Sequence, residues 1–259
     1  MGKLFVEGAK SKEPRQPLAL PFSAMAHQGQ FSKNASGRIV VRLTEGSVPM
    51  TVILEKPTAE AVAAAGEAFD KENRLIERAL NELFTQFPKN TDTAHVLLKV
   101  IALNELYSTQ IPLYSKSIPS VWELVDHIVE LKIDPALDLG SLDLVYNIAK
   151  TESRGKIRFN YSFATKYCSW HRPDFYPIYD WHVDEYLWEI KNRGWIGRFK
   201  RQELKIYARV KEIVSEFRDR YDLGNFNFKQ IDKFMYYEGG KLLTAKEDER
   251  PPATTTESQ

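Results

Sequence analysis

Apolar residues recur at helical spacing along most of the chain after residue 58. Leu75, Ile76, Ala79, Leu80, Leu83, Phe84 and Phe87 fall on one face of a 3.6-residue repeat. Thr58 can cap the start of that helical run, with Glu60 in its first turn, and Pro88 and Asn90 end it. Asp92 or Thr93 starts the next helix, which carries Val96, Leu97, Val100 and Ile101 on one face. Ser120 caps a third, with Val121, Leu124, Val125 and Ile128. Further helices are expected at about 141–149, at 161–170, from Trp181 to about Asn192, at about 202–217 and at 228–237. Gly194 reads as the end of the helix that Asp180 precedes.

A different pattern precedes this body. Arg38–Thr44 and Met50–Glu55 are β-branched runs separated by Glu45-Gly46-Ser47-Val48-Pro49, which predicts a β-hairpin within 38–57. Residues 1–37 are rich in Pro, Gly, Ser and Lys and read as a flexible arm. Residues 239–259 are polar, include Pro251-Pro252, and read as a disordered tail. The expected architecture is mainly α, with a multi-helix globular domain over 58–238 behind a short N-terminal hairpin.

Composition narrows the class. No stretch approaches the roughly 18 apolar residues of a membrane span. The N-terminus, Met1 to Pro17, has no apolar core of the kind a secretory signal needs. The chain has one cysteine, Cys168, which rules out an intrachain disulfide and any all-cysteine metal or cluster site. These features lead to the expectation of a cytoplasmic protein with no membrane partner, no metal and no cofactor. The formal net charge of +1 hides an asymmetry. Residues 58–149 hold 7 Lys plus Arg against 14 Asp plus Glu, whereas 150–211 hold 14 against 7. A basic half suits a phosphate-bearing partner, although mutual attraction of the halves explains it equally well.

The most distinctive stretch runs from Ser162 to Val183: a small-residue helix, a proline-punctuated loop, then Pro177-Ile178-Tyr179-Asp180-Trp181-His182-Val183. This last element resembles the P-(V/I)-D-x-(H/N)-V segment of the helix-hairpin-helix (HhH-GPD) DNA glycosylases, with Tyr179 as one extra residue. Val96–Ile111 is similar to that family's early apolar helix and its Asn/Gln-rich turn. The resemblance covers about a third of the chain and identifies it as a divergent member. It departs at the hairpin, where Glu152–Arg158 carries the single Gly155 in place of a glycine-rich phosphate loop.

The resemblance implies an enzyme that flips a damaged or modified base out of duplex DNA and hydrolyses its N-glycosidic bond. Asp180 would activate water. A carboxylate at a helix N-terminus tends to stay ionised, which suits a base or charge stabiliser. Lys156 and Lys166 are the candidates for an amine nucleophile, with a monofunctional, water-based mechanism favoured. Gln110 or Thr109 would fill the gap left by the base. Arg154, Arg158 and Lys156 would hold phosphates. Tyr179, Trp181, His182 and Trp170 are the candidates for the base pocket, since extruded bases are held between aromatic faces.

Plainer roles stand beside these. Asp180 also reads as an ordinary N-cap. Most of the aromatics between Phe159 and Trp188 also read as core. Cys168 reads as a buried small hydrophobe. A non-catalytic DNA-binding module on the same scaffold and a protein–protein interaction domain are the alternative functions. The sequence leaves open which base is read, repair against defence, and the oligomeric state.

Overall fold

The structure is a computed structural model that describes residues 31–33, 39–41 and 52–248. It divides into two units, residues 1–49 and 50–259. In the first, strand β1 (Phe31–Lys33) pairs antiparallel with β2 (Ile39–Val41), Phe31 opposite Val41. The expected hairpin is therefore corrected. Ile39–Val41 is a strand, but its partner comes from the segment read as an arm, and Val52–Glu55 forms no strand. The reason lies in the second unit. The Val52 carbonyl accepts from Arg193 Nη2 at 3.1 Å, and the Glu55 N–H donates to Glu238 Oε2 at 2.7 Å. With its polar groups spent there, this segment has fewer left for a ladder. The remainder of the arm and the connector 45–49 lie outside the described residues.

The second unit is helical, as its period predicts. Helix α1 (Ala59–Glu72) is capped by Thr58, whose Oγ1 accepts from the Ala61 N–H. The run expected as one helix breaks at Asn73, and α2 (Arg74–Gln86) follows. Asn73 leaves helical geometry, with ψ of 18°, and its own amide donates to the Phe69 carbonyl at 3.1 Å. That side-chain bond competes with the helical ladder.

Asp92 caps α3 (Thr93–Leu106), and Ser120 with Glu123 forms a capping box on α4 (Val121–Glu130). Two short helices follow, α5 (Asp134–Asp138) and α6 (Asp143–Ala149). Only the second was expected from the periodicity, because one turn of helix carries no period.

Strands β3 (Lys150–Ser153) and β4 (Lys156–Phe159) then form a tight hairpin. Its two-residue loop, Arg154-Gly155, has positive φ at both positions, 52° and 68°. That conformation matches the twist of paired strands, and a glycine at the second position relieves half of its cost. Here the chain differs from a glycine-rich phosphate loop: the connection between α6 and the next helix is a β-ribbon.

Helices α7 (Tyr161–His171) and α8 (Trp181–Asn192) bracket the proline loop. A 3-10 turn (Arg201–Lys205) leads into α9 (Tyr207–Arg220), and α10 (Phe228–Asp248) closes the chain. Helix α10 runs through Gly239 and Gly240, so the tail expected from residue 239 is helical as far as Asp248, and residues 249–259 lie outside the described residues. Its apolar side explains the extension. Phe228, Ile231, Phe234, Met235 and Leu242 are all buried. Gly239 lets the two helices touch: a Cβ there would stand 2.2 Å from the His182 carbonyl oxygen in the first turn of α8.

Among the described residues, no helix is long and apolar enough to cross a membrane.

Candidate active site

Asp180 stands where the proline loop meets α8. Its backbone is extended, and Oδ1 accepts from the Val183 N–H at 3.3 Å, so it is an N-cap as the sequence suggests. It is more than a cap. Lys166, from the middle of α7, reaches across to donate to Asp180 Oδ2 at 2.8 Å and to Ser162 Oγ at 2.9 Å. The Lys166 side chain is 4% exposed and the Asp180 carboxylate 20%.

Burial alone would raise the carboxyl's affinity for a proton. The Lys166 ammonium, the nearby His182 and the Val183 N–H outweigh it and hold Asp180 below the usual carboxylate range. The loop is fixed to α7 independently of this pair: the Tyr179 N–H donates to Thr165 Oγ1 at 3.1 Å, and that hydroxyl lies 3.2 Å from the Tyr179 carbonyl.

Asp180 opens onto a cavity of about 800 Å³. One wall is aromatic. Phe159 and Tyr161 are stacked with centroids 6.0 Å apart, and Tyr161 meets Tyr179 at 5.2 Å. Trp181 lines the cavity while staying 65% exposed, so it stands at the rim. A second wall is charged. Arg201 Nε donates to Asp184 Oδ1 at 2.6 Å and its Nη2 to Glu185. Tyr179 Oη also donates to Asp184, and Lys205 donates to Tyr179 Oη at 3.2 Å. Burial and the bond to Asp184 push the Tyr179 hydroxyl well above its ordinary range, so it remains a neutral phenol. Thr109 and Arg158 are also part of the lining.

Of the sequence candidates, Asp180, Tyr179, Trp181, Thr109 and Arg158 line the cavity, and Lys166 meets Asp180 without lining the cavity itself. Others do not line the cavity. His182 lies behind Asp180, with Nδ1 3.9 Å from its Oδ1 and its ring against Tyr236 at 4.4 Å. Burial, with Lys166 nearby, keeps the imidazole less basic than usual despite Asp180. Trp170 is buried against Phe84, donates to Tyr107 Oη at 3.2 Å and has Lys229 over its face. Lys156 and Arg154 belong to the exposed hairpin, where Arg154 reaches Glu123 at 3.4 Å. Gln110 contributes its backbone: its carbonyl accepts from Arg158 Nη2 at 2.7 Å.

Periodicity missed Asn160, Ser162, Asp184, Glu185 and Arg201. Asp184 follows the cap Asp180 by one helical turn, a spacing that places both on one side of α8. Arg201 comes from a separate turn and carried no such signal.

Behind the pair lies a further carboxyl, Asp232 on α10. Burial and the negative charge of Asp180 push it up to about 8, against the opposing pull of Lys166, Lys229 and Lys233. Cys168 is buried, and burial raises its thiol, in keeping with a core role. No group of three or more His, Cys, Asp or Glu side chains arranged to hold a metal occurs among the described residues.

Residues 59–175 match the family HI_0787_N, described as an N-terminal domain. That stretch contains Lys166 and ends five residues before Asp180. An uncharacterized protein of Haemophilus influenzae (strain ATCC 51907 / DSM 11121 / KW20 / Rd) is 34% identical over 131 residues, which is 50% of this chain and 62% of the relative. No solved structure matches the chain.

Proposed function

We propose that the chain releases a base from DNA by hydrolysing its N-glycosidic bond, with Asp180 as the carboxylate that activates water. The observation that carries this reading is an anionic Asp180, fixed by Lys166, at the edge of an aromatic-walled cavity. Cutting the bond builds positive charge on the sugar, and a desolvated anion is worth most against such charge. In the proposed step the water oxygen attacks the anomeric carbon and passes a proton to Asp180. The carbon–nitrogen bond breaks toward the base, which leaves with the electron pair and takes up a proton.

Two features favour water over an amine. Lys166 is engaged by a carboxylate and a hydroxyl and does not line the cavity, so its nitrogen is not placed to attack a sugar there. Lys156 lies on the exposed hairpin and does not line the cavity. The aromatic wall of Phe159, Tyr161 and Tyr179, with Trp181 at the rim, suits a flat ring taken out of a stack.

Incubation with DNAs carrying different base modifications, followed by mass spectrometry of free bases, tests the reading. Release by the wild type supports it and identifies the base. The β-ribbon in place of a glycine loop favours a second reading, a DNA-binding module without chemistry. That reading predicts salt-sensitive binding and no abasic product.

A further inference from the structure

The hairpin that leads to the cavity carries its apolar side chains outward. Thr151 pairs with Arg158 and Glu152 with Ile157, so alternate residues fall on opposite faces of the ribbon. One face holds the buried Thr151, with Ser153, Lys156 and Arg158. The other holds Lys150, Glu152, Ile157 and Phe159, and all four are exposed. Ile157 is 57% exposed and Phe159 47%. Tyr146 on α6, itself 56% exposed, has its ring centroid 5.2 Å from that of Phe159.

These rings belong to a row. Phe159 is stacked with Tyr161, and Tyr161 meets Tyr179. Phe159, Tyr161 and Tyr179 line the cavity, so the row runs from the open surface at Tyr146 to the place where Asp180 stands. Single exposed apolar side chains are ordinary, but a row of rings continuous with a cavity is a surface that a ligand can follow.

The charge around the row says what kind of ligand. Residues 150–158 hold four cations, Lys150, Arg154, Lys156 and Arg158, against one anion, Glu152. Lys150 stands opposite Phe159 in the register, on the same face, where cross-strand side chains are near neighbours. Arg154 pairs with Glu123, whereas neither Lys150 nor Lys156 makes an ion pair among the described residues. Rings interleaved with cations suit bases joined by phosphates. A second copy of the chain suits this face poorly, because a two-fold contact would set one basic ribbon against another.

We infer that the ribbon and Tyr146 form a docking surface for an unpaired DNA strand. Bases next to the one in the cavity lie against Phe159 and Tyr146, and Lys150 meets the backbone phosphates. A duplex fits less well, because its base faces are covered by neighbouring pairs and it offers these rings only edges and backbone. A base also leaves its stack at lower cost when it has no pairing partner. Entry of a base into the cavity rests on the function proposed above; the strand-binding surface stands apart from it.

The test measures binding of the full chain to a fluorescent oligothymidine of about 12 nucleotides, within the roughly 4–16 that such surfaces cover. The duplex it forms with oligoadenine is the comparison. The single strand is expected to bind about tenfold or more tightly than the duplex, the scale of one or two base–aromatic contacts. Tyr146→Ala and Phe159→Ala should each weaken single-strand binding about fivefold or more and leave its salt dependence unchanged, whereas Tyr146→Phe should bind as wild type. Lys150→Gln should flatten the plot of log affinity against log salt by about 0.7, the slope of one phosphate contact on a single strand. Thermal melting checks that each variant is folded, and if Phe159→Ala is not, Tyr146→Ala and Lys150→Gln decide. A duplex bound as tightly as the single strand, or folded variants with wild-type affinity and salt slope, would overturn the inference. So would a Tyr146→Ala change that dissociates a dimer in sedimentation and leaves DNA affinity untouched. Base release is followed separately, on modified DNAs presented as single strands and as duplexes. Ring-dependent single-strand binding with no base released from any of them would uphold the surface and count against the proposed chemistry. Base release without that binding would do the reverse.

Discussion

The Lys166 ammonium lies 2.8 Å from Asp180 Oδ2, although the two residues belong to different elements, α7 and the cap of α8. The pair fixes the charge state of Asp180 and ties two helices together. Lys166→Met should leave a desolvated carboxylate without its cation, at a cost of about 3 kcal/mol at neutral pH. The Asp180 carboxyl is depressed when folded, so the pair's contribution is present above the unfolded value of about 4 and is lost as acid protonates the folded group. Chemical denaturation at pH 7 and at pH 3 checks this, and the gap between variant and wild type should narrow on acidification. A gap independent of pH would mean that packing of the lysine stem dominates.

Asp232 behaves in the opposite sense. Its carboxyl, pushed up to about 8, keeps a proton in the folded chain that the unfolded chain has already released. The folded state binds more protons between about pH 4 and that value, so this group lowers stability as pH rises through the window. Asp232→Asn removes the penalty. Thermal melts should show the variant gaining on wild type from pH 5 to pH 8. A constant difference across that range would contradict the assignment.

Glycine positions in two helices give a paired contrast. At Gly239 an added methyl would meet the His182 backbone, so Gly239→Ala should cost about 1–3 kcal/mol and disturb the turn that Asp180 caps. At Gly66, inside α1, an added methyl meets nothing within 4 Å. Gly66→Ala should therefore stabilise by up to about 1 kcal/mol. Equilibrium unfolding of both variants reads the two signs directly.

Lys99 is a fully buried cation that does not line the cavity. Its ammonium donates to the Phe87 and Lys89 carbonyls at 3.1 and 2.9 Å and to Asn90 Oδ1 at 2.6 Å. Burial lowers it to about 8, with Asp134 opposing. Lys99→Met would strand the Phe87 and Lys89 carbonyls, while Asn90 Oδ1 keeps the Tyr167 hydroxyl as its donor, a loss on the order of 2–3 kcal/mol at pH 7. Stability should rise in the wild type between about pH 8 and 10, where only the unfolded lysine still holds its proton, and this slope should vanish in the variant.

What the sequence made legible follows from how local each signal is. Thr58, Asp92, Ser120 and Asp180 are all helix caps where a capping side chain precedes an apolar run. The break at Asn73 was hidden because the apolar period continues across it. The partner of Ile39–Val41 was misread because Val52–Glu55 looks like a strand until Arg193 and Glu238 claim its backbone. At the site, Asp180 and Lys166 were each visible as chemistry, but their meeting depends on the fold-back at Thr165. Asn160 was invisible for a similar reason. Arg158 holds one end of its amide, and that contact depends on β4 leading into α7.

The most direct test of the central claim is release of free base from modified DNA by the wild type and by Asp180→Asn, with thermal melting of both. The wild type is expected to form an abasic product, and the folded variant to lose at least about 100-fold in rate, the scale of one positioned acid–base group. A folded Asp180→Asn protein that releases base at the wild-type rate would contradict it.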